Sequence, residues 1–446
     1  MTQNAAVMKA VESLDYRVTV GDVAAKAGLD LNVAQQGVNA LAADTQAHLQ
    51  VSESGEIAYV FPKNFRAILR NKYWRIRLQE TWAKVWNVLF YLIRISFGIL
   101  LLVSIVLIIA AIAILLIAMS SSQRDDNRSS SSRGGMGGMV FIPRFWIGDL
   151  FWFFHYGPRS SRSYPNRPNR SNRPNAAPGE MNFLEAIFSF LFGDGDPNAD
   201  LEEKRWQTIG TVIRNNGGAI AAEQVAPYLD DVARYQKLED EDYILPVLTR
   251  FNGIPQVSPE GTIIYHFPEL QVMANQRDRA PVSAYLRESP WKFSEATSSQ
   301  ISLAIGLGVV NFVGALFLGG LLQDQALVAD LGGLVAFVDG IFWLLLAYGT
   351  AFLGVPAVRY FWVKRKNASL ERRNEQRQEQ AIALNQSGPE VQNKIRFAQQ
   401  FAQRTIVGAD DLAYTTEKDL TEQEYEQRDK LDAEWLKRLE DRSGDR

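Results

Sequence analysis

The sequence predicts a mainly α protein with small β-hairpins, in which two like-built polar domains are combined with α-helical transmembrane segments. Three observations carry this. Val51–Pro62 and Val257–Pro268 share V-S-x-x-G-x-I-x-Y-x-F-P without a gap, with seven of twelve residues identical at a spacing of 206 positions. The residues before each copy match in kind. Three further runs are almost purely apolar over helical lengths.

In residues 1–63, Ala5–Leu14 has helical spacing, Val18–Val20 is extended, and Thr19–Gly28 reads as a second helix ending at its glycine. Asp30 can cap a third helix whose apolar positions are Val33, Val38 and Leu41. Turn chemistry around Gly55, then alternating Ile57, Tyr59 and Phe61 closed by Pro62, predicts a hairpin, His48–Val51 with Ile57–Phe61, that buries one face. Helix, strand, helix, helix, hairpin is the order of a winged helix-turn-helix. Residues 197–270 repeat it with Trp206–Arg214, Ala219–Leu229, Glu241–Arg250 and the hairpin marked by Gly261, Tyr265, Phe267 and Pro268. Here a longer acid-rich insert separates the second and third helices. One winged-helix-like module used twice is the expectation.

Such modules commonly bind DNA, so their charge matters. Met1–Pro62 has Lys9, Arg17 and Lys26 against seven acidic residues, and the third helix, Asp30–Asp44, contains neither Lys nor Arg. In Glu203–Pro268 six basic residues face nine acidic ones, and the corresponding helix opens Glu239-Asp240-Glu241-Asp242. Nucleic-acid affinity depends on neutralising phosphates, so protein is the expected partner and nucleic acid is not.

The 446 residues allow two or three domains, and the near-balance of 47 basic and 50 acidic residues conceals local asymmetry. Absence of cysteine excludes disulfides and thiolate-held metal or clusters on this chain. The three histidines, His48, His155 and His266, read as tolerated surface residues. No secretory leader is read in the polar first fifty residues. No cofactor, metal site or catalytic residue is expected.

Residues 64–94 form a basic and aromatic approach suited to an interfacial belt, and the 25 charge-free residues of 95–119 form a first transmembrane helix. Residues 301–322 and 334–358 are two more spans, joined tightly enough to require an antiparallel hairpin. Small residues should bring these two together: Ala304, Gly308, Ala315 and Gly319 with Asn311 on one, and Gly340, Ala347, Ala351 and Gly354 on the other. Asp339, near the start of the third span, is read as structural, with a proton or ion site as the alternative. Arg359, Lys364, Arg365, Lys366, Arg372 and Arg373 place the tail and the second module on the cytoplasmic side. The basic N-terminal flank favours the same side. Within the low-complexity linker 120–180, the aromatic stretch 136–156 is either a return crossing or re-entrant segment, or a flat interfacial one.

Arg159–Pro178 should be an extended linker, open to contact with anionic headgroups. Residues 181–192 form an amphipathic helix for a membrane surface, a partner, or the second module. Asp194, Asp196, Asn198 and Asp200 mimic a calcium loop, but Ala199 and Arg205 occupy its glycine and glutamate positions; a turn with Asp196 capping a helix that starts at Pro197 is expected instead. Residues 271–300 link to the membrane, and 363–446 read as a solvated helical arm with helices at Pro389–Arg404 and Thr421–Leu439.

Met181–Asn198, Glu203–Gly210, Tyr243–Gly253 and Tyr265–Gln271 resemble a family of cyanobacterial and chloroplast membrane proteins whose plant members often carry the label iron–sulfur cluster biosynthesis family protein. With no cysteine here, direct cluster ligation does not carry over. The resemblance implies a thylakoid or cyanobacterial plasma membrane setting and brings no catalytic residues. The expected function is an integral membrane scaffold or assembly factor. Its partners would be membrane lipid and membrane or peripheral proteins, photosynthetic complex subunits among them. A membrane-tethered DNA-binding regulator and a transport component using the 301–358 hairpin are the alternatives.

Overall fold

In a computed structural model, residues 2–72, 74–125, 181–230, 241–408, 412–425, 428, 432, 435 and 436 are described. The expectations for 136–156, for Arg159–Pro178, for the acid-rich insert at 231–240 and for most of Thr421–Leu439 lie outside them. The chain divides into two compact units: Met1–Thr81 with Asp196–Pro290 and Asn367–Arg446, and Trp82–Gly195 with Trp291–Lys366.

The first unit begins with α1 (Thr2–Ser13), β1 (Arg17–Val18), α2 (Val20–Ala27), α3 (Leu31–Thr45), β2 (His48–Ser52), β3 (Ile57–Val60) and α4 (Phe65–Lys72). Local chemistry fixes these boundaries. Thr19 and Asp22 form a capping box on α2, which stops at Gly28 with φ +65°, and Asp30 caps α3 through Asn32 and Val33. The chain resumes with α5 (Trp74–Asp125) and, in the second unit, α6 (Phe183–Phe192).

Back in the first unit come α7 (Leu201–Asn215), β4 (Ala219–Ile220), two 3₁₀ turns, a third over Asp242–Ile244, α8 (Leu245–Phe251), β5 (Ile254–Val257), β6 (Ile263–His266), α9 (Pro268–Gln271) and β7 (Val272–Met273). Three expectations change. Ala219–Leu229 is not a helix, because Ala219 and Ile220 pair with His266 and Tyr265 and Pro227 cannot donate in a helix interior. Asp196 makes a turn through the Asn198 N–H, and α7 starts only at Leu201. The second strand of each hairpin is enclosed on both faces rather than one, Ala58 and Ile264 as fully as Tyr59 and Tyr265, while Ile57 and Ile263, expected on the buried face, are exposed beside the turns.

The second faces are covered by the C-terminal tail. After α10 (Ser298–Leu321), α11 (Gln325–Leu331), α12 (Gly333–Gly340) and α13 (Phe342–Asn385) come α14 (Pro389–Gln400), β8 (Thr405–Ile406) and β9 (Leu412–Thr415). Val407 packs on Ala58, and Ala398, Phe397 and Phe401 pack around Ile264 and Ala219. β8 runs parallel to β7, and β9 lies antiparallel to β2 in a sheet ordered β1-β3-β2-β9; β4-β6-β5 form the second. The tail is therefore woven into this unit. It escapes sequence reading because the strands are two and four residues long, too short for a period to register.

Both halves of the first unit share one continuous core, from Val7, Val11 and Val38 to Trp206, Ile213 and Phe251. α2 crosses α7 closely where Gly210 faces Ala25. A Cβ on Gly210 would lie 2.9 Å from the Ala25 Cα, so Gly210→Val is expected to cost about 1–3 kcal/mol by overpacking, readable as a drop in the denaturation midpoint of the full chain.

In the second unit α10 runs alongside α5 in the same direction, with Ala304 in a cluster with Leu101 and Ile105, and Ala315 and Leu318 in one with Ile108 and Leu115. α13 runs against α10: Gly308 faces Phe352, Gly349 faces Phe312 and Gly319 faces Phe342. α5, α10 and α13 are each long and apolar enough to cross a membrane. The expected span 334–358 is broken at Ile341, whose φ of −106° and ψ of 7° leave the helix just after Gly340, a poor helix former. α6 packs within its own unit. Ile187, Phe190 and Leu191 are buried against Leu101, Ala304 and Phe352, while Phe188 and Phe192 stack on Phe97, so apolar side chains use most of its circumference.

Candidate functional site

The two hairpins, and the C-terminal cap of the helix preceding each, share register and turn geometry. Gln46 ends α3 with φ +55° and Asn252 ends α8 with φ +52°. Leu49 lies opposite Tyr59 and Pro255 opposite Tyr265; Gln50 opposite Ala58 and Gln256 opposite Ile264. The turns pass through Gly55 and Gly261 at φ +86° and +82°, where L side chains are strained. Phe61 and Phe267 donate their N–H groups to Tyr16 and Gly218, and both rings enter the common core. Pro62 follows β3, and Pro268 opens α9.

From this frame the hydroxyls of Tyr59 and Tyr265 reach the preceding helical segments. Tyr59 donates to Asn39 Oδ1 at 2.6 Å beside a shallow cavity of about 350 Å³ lined by Ala43, Gln46 and Leu49 among others. The exposed positions of α3 are Asn32, Gln35, Gln36, Asn39, Ala40 and Ala43, a polar and uncharged face. Tyr265 instead donates to Glu241 Oε2 at 2.8 Å. Burial, and then Glu241 itself, push the Tyr265 hydroxyl far above its ordinary value.

Lys394 of α14 completes this second cluster, donating to Glu241 at 2.7 Å and Glu223 at 2.8 Å. Burial alone would lower the Lys394 pKa; the two carboxylates outweigh it and leave it raised. Lys394→Ala leaves Glu223 and Glu241 without their shared cation. We expect α14 to loosen by about 1–3 kcal/mol, seen as faster amide exchange in Pro389–Gln400. Sequence reading missed Lys394, since one lysine in a charged tail carries no signal. His48 and His266 contact the Thr416 carbonyl oxygen and Gln271 Oε1 respectively.

In the membrane-type unit, Ala304, Gly308, Asn311 and Ala315 of α10 are buried on one stripe, and Gly319 abuts Phe342. On α13 the buried stripe is Leu345, Gly349 and Phe352; Ala347 and Ala351 are exposed, and nothing lies within 4 Å of a Cβ built on Gly340 or Gly354. Asp339 sits half-buried in the last turn of α12, before α13 begins. At the other end of the unit Arg94 bonds Asp194 at 2.9 Å, and Asp194 also accepts from Ser189 Oγ and the Glu295 N–H. Arg359 donates to the Ser189 carbonyl at 3.1 Å. Arg94 of α5, Arg359 of α13 and the end of α6 thus meet in one place.

Comparison with known proteins places the chain. No protein-family model and no solved structure matches it. It is 39% identical over 436 residues to the uncharacterized chloroplastic protein At5g03900 of Arabidopsis thaliana, covering 94% of this chain and 80% of that protein. That relative's name gives a location and no iron–sulfur role. At this identity over nearly its whole length, the chain belongs to the family of that chloroplastic plant protein.

Proposed function

We propose that the chain is a non-enzymatic, membrane-anchored scaffold or assembly factor whose two winged-helix-like modules bind proteins on the cytoplasmic side of a photosynthetic membrane. One observation carries the reading: the exposed face of α3, where a winged helix would meet phosphates, presents amides and alanines without a single cation. In the second module the segment before α8 carries Glu241, already engaged by the chain's own Lys394. The setting is supported by the chloroplastic relative and by three helices of membrane-crossing length.

The sidedness has support as well. Arg94, Ser189, Ser294 and Arg359 gather at one end of the membrane-type unit, so the basic flanks of the first and third spans share a side.

A photo-cross-linking residue at Gln35 or Gln36 of the full-length protein should trap a discrete protein in native membranes. The same protein in nanodiscs should show no salt-sensitive affinity for duplex DNA. Tight duplex binding at physiological salt, falling steeply as salt rises, would replace this function with the regulator.

A further inference from the structure

We propose that the outer edge of β5 is a docking strand for an extended segment of a partner protein, taken up antiparallel as β2 takes up β9. The proposal rests on reading the second module as protein-binding and names how it would bind. In the first hairpin the acceptor residues are Gln50, Val51 and Ser52, opposite Thr415, Tyr414 and Leu412. The second hairpin repeats them as Gln256, Val257 and Ser258. Their setting is repeated too: Val51 lies opposite Ile57 and Val257 opposite Ile263, while the N–H groups of Ser52 and Ser258 donate across their own turns at 2.9 and 2.8 Å.

Successive main-chain groups of a strand point to opposite edges. As Ser52 and Ser258 bond inward, Val51 and Val257 point outward. Val51 meets β9 there. Among the described residues no strand pairs with the outer edge of β5, and Val257 is 63% exposed. A template and its vacant counterpart thus occur in one chain.

Pro255 decides what such a guest can be. It stands where Leu49 stands in the first hairpin; there the carbonyl accepts from Thr416 N–H at 2.9 Å, and the N–H bonds only the Thr416 hydroxyl, at 2.8 Å. Pro255 keeps the carbonyl and lacks the N–H. A guest strand therefore retains both types of main-chain contact that β9 makes and loses one side-chain contact. Proline also blocks longer or slipped pairings, which guards the edge against indiscriminate addition. The fitting partner is a short extended segment with an aromatic residue opposite Val257 and small hydroxyl residues following it, the chemistry of Leu412–Thr416.

The probe is a fluorescent peptide of residues 410–418, with a photo-reactive phenylalanine at the position of Tyr414, added to the full-length protein in nanodiscs. Saturable binding below about 1 mM is expected, with cross-links mapping to Ile254–Ser258. Affinity should fall at least about tenfold in Val257→Pro, and equally when the peptide nitrogen of the aromatic residue is methylated on unaltered protein. Absence of saturable binding, insensitivity to methylation, or cross-links on His48–Ser52 from exchange with the resident β9 would overturn the proposal. So would self-association of the protein through β5 that Val257→Pro abolishes, since the occupant would then be a second copy. A native partner trapped from Gln35 of the first module, together with failure of the peptide to bind β5, would leave the scaffold reading intact while removing this one.

Discussion

Asp22→Ala is expected to destabilise the first unit by about 3–5 kcal/mol. The Asp22 side chain is fully buried on α2 and answers four donors. It accepts from its own N-cap, Thr19 N–H, at 3.0 Å, from Ala274 N–H at 2.9 Å, from Arg214 Nη2 at 2.5 Å and from Arg277 Nη1 at 3.4 Å. The first bond belongs to α2 alone; the other three tie it to α7 and to the segment after β7. Truncation strands Arg214, itself mostly enclosed, without a counter-charge. Asp22→Asn preserves the cap acceptor and should lose less. Combining Asp22→Ala with Arg214→Met should recover part of the loss, because the stranded charge is then gone. Pulse proteolysis of the full chain in nanodiscs would measure all three, and a loss below about 1 kcal/mol for Asp22→Ala would mean that this ion cluster does not hold the halves together.

What could be read from the sequence follows the length over which a physical signal is spread. Thr19, Gly28 and Asp30 mark helix ends through chemistry that needs no partner, and they cap where expected. The hairpins were legible because Gly55 and Gly261 impose turns and the alternation runs for five residues. Long-range acceptors were not. Arg17 donates to Gln50, to the Ala274 carbonyl and to the Val407 carbonyl at 2.7 Å, joining three distant stretches that share no sequence pattern. The packing face of α13 shows a subtler limit. Gly340, Ala347, Ala351 and Gly354 form one stripe only if the helix is continuous, and the break at Ile341 separates Gly340 from the rest. The buried face then follows Leu345, Gly349 and Phe352, spaced by four and three, and it turns Ala347 and Ala351 outward.

Glu288 should show the second large effect, and its two arginines should not be equivalent. Its carboxylate bonds Arg373 at 2.6 and 2.8 Å and Arg377 at 2.9 Å, while Asn374 brackets its main chain through both N–H and carbonyl. The hydrogen bond from Arg373, with the charges of both arginines, holds the Glu288 carboxyl below its ordinary value of 4.5. A carboxyl depressed in the folded state adds stability that is complete above the unfolded value. That stability is lost as pH falls through the folded one. The first unit should therefore weaken below pH 4.5, and Glu288→Gln should flatten that part of the profile while costing about 3–5 kcal/mol at neutral pH. Arg373 and Arg377 differ in burial, with 45% and 5% of their side chains exposed. Solvent can replace Arg373, so Arg373→Gln should cost about 1 kcal/mol or less. Arg377 also bonds the Leu286 carbonyl at 3.0 Å and Asp230 at 2.5 Å, so Arg377→Gln leaves Glu288 enclosed with a weakened partner and should approach the cost of losing Glu288 itself. Equal losses for the two arginines would show that charge, rather than burial, sets the strength of this joint.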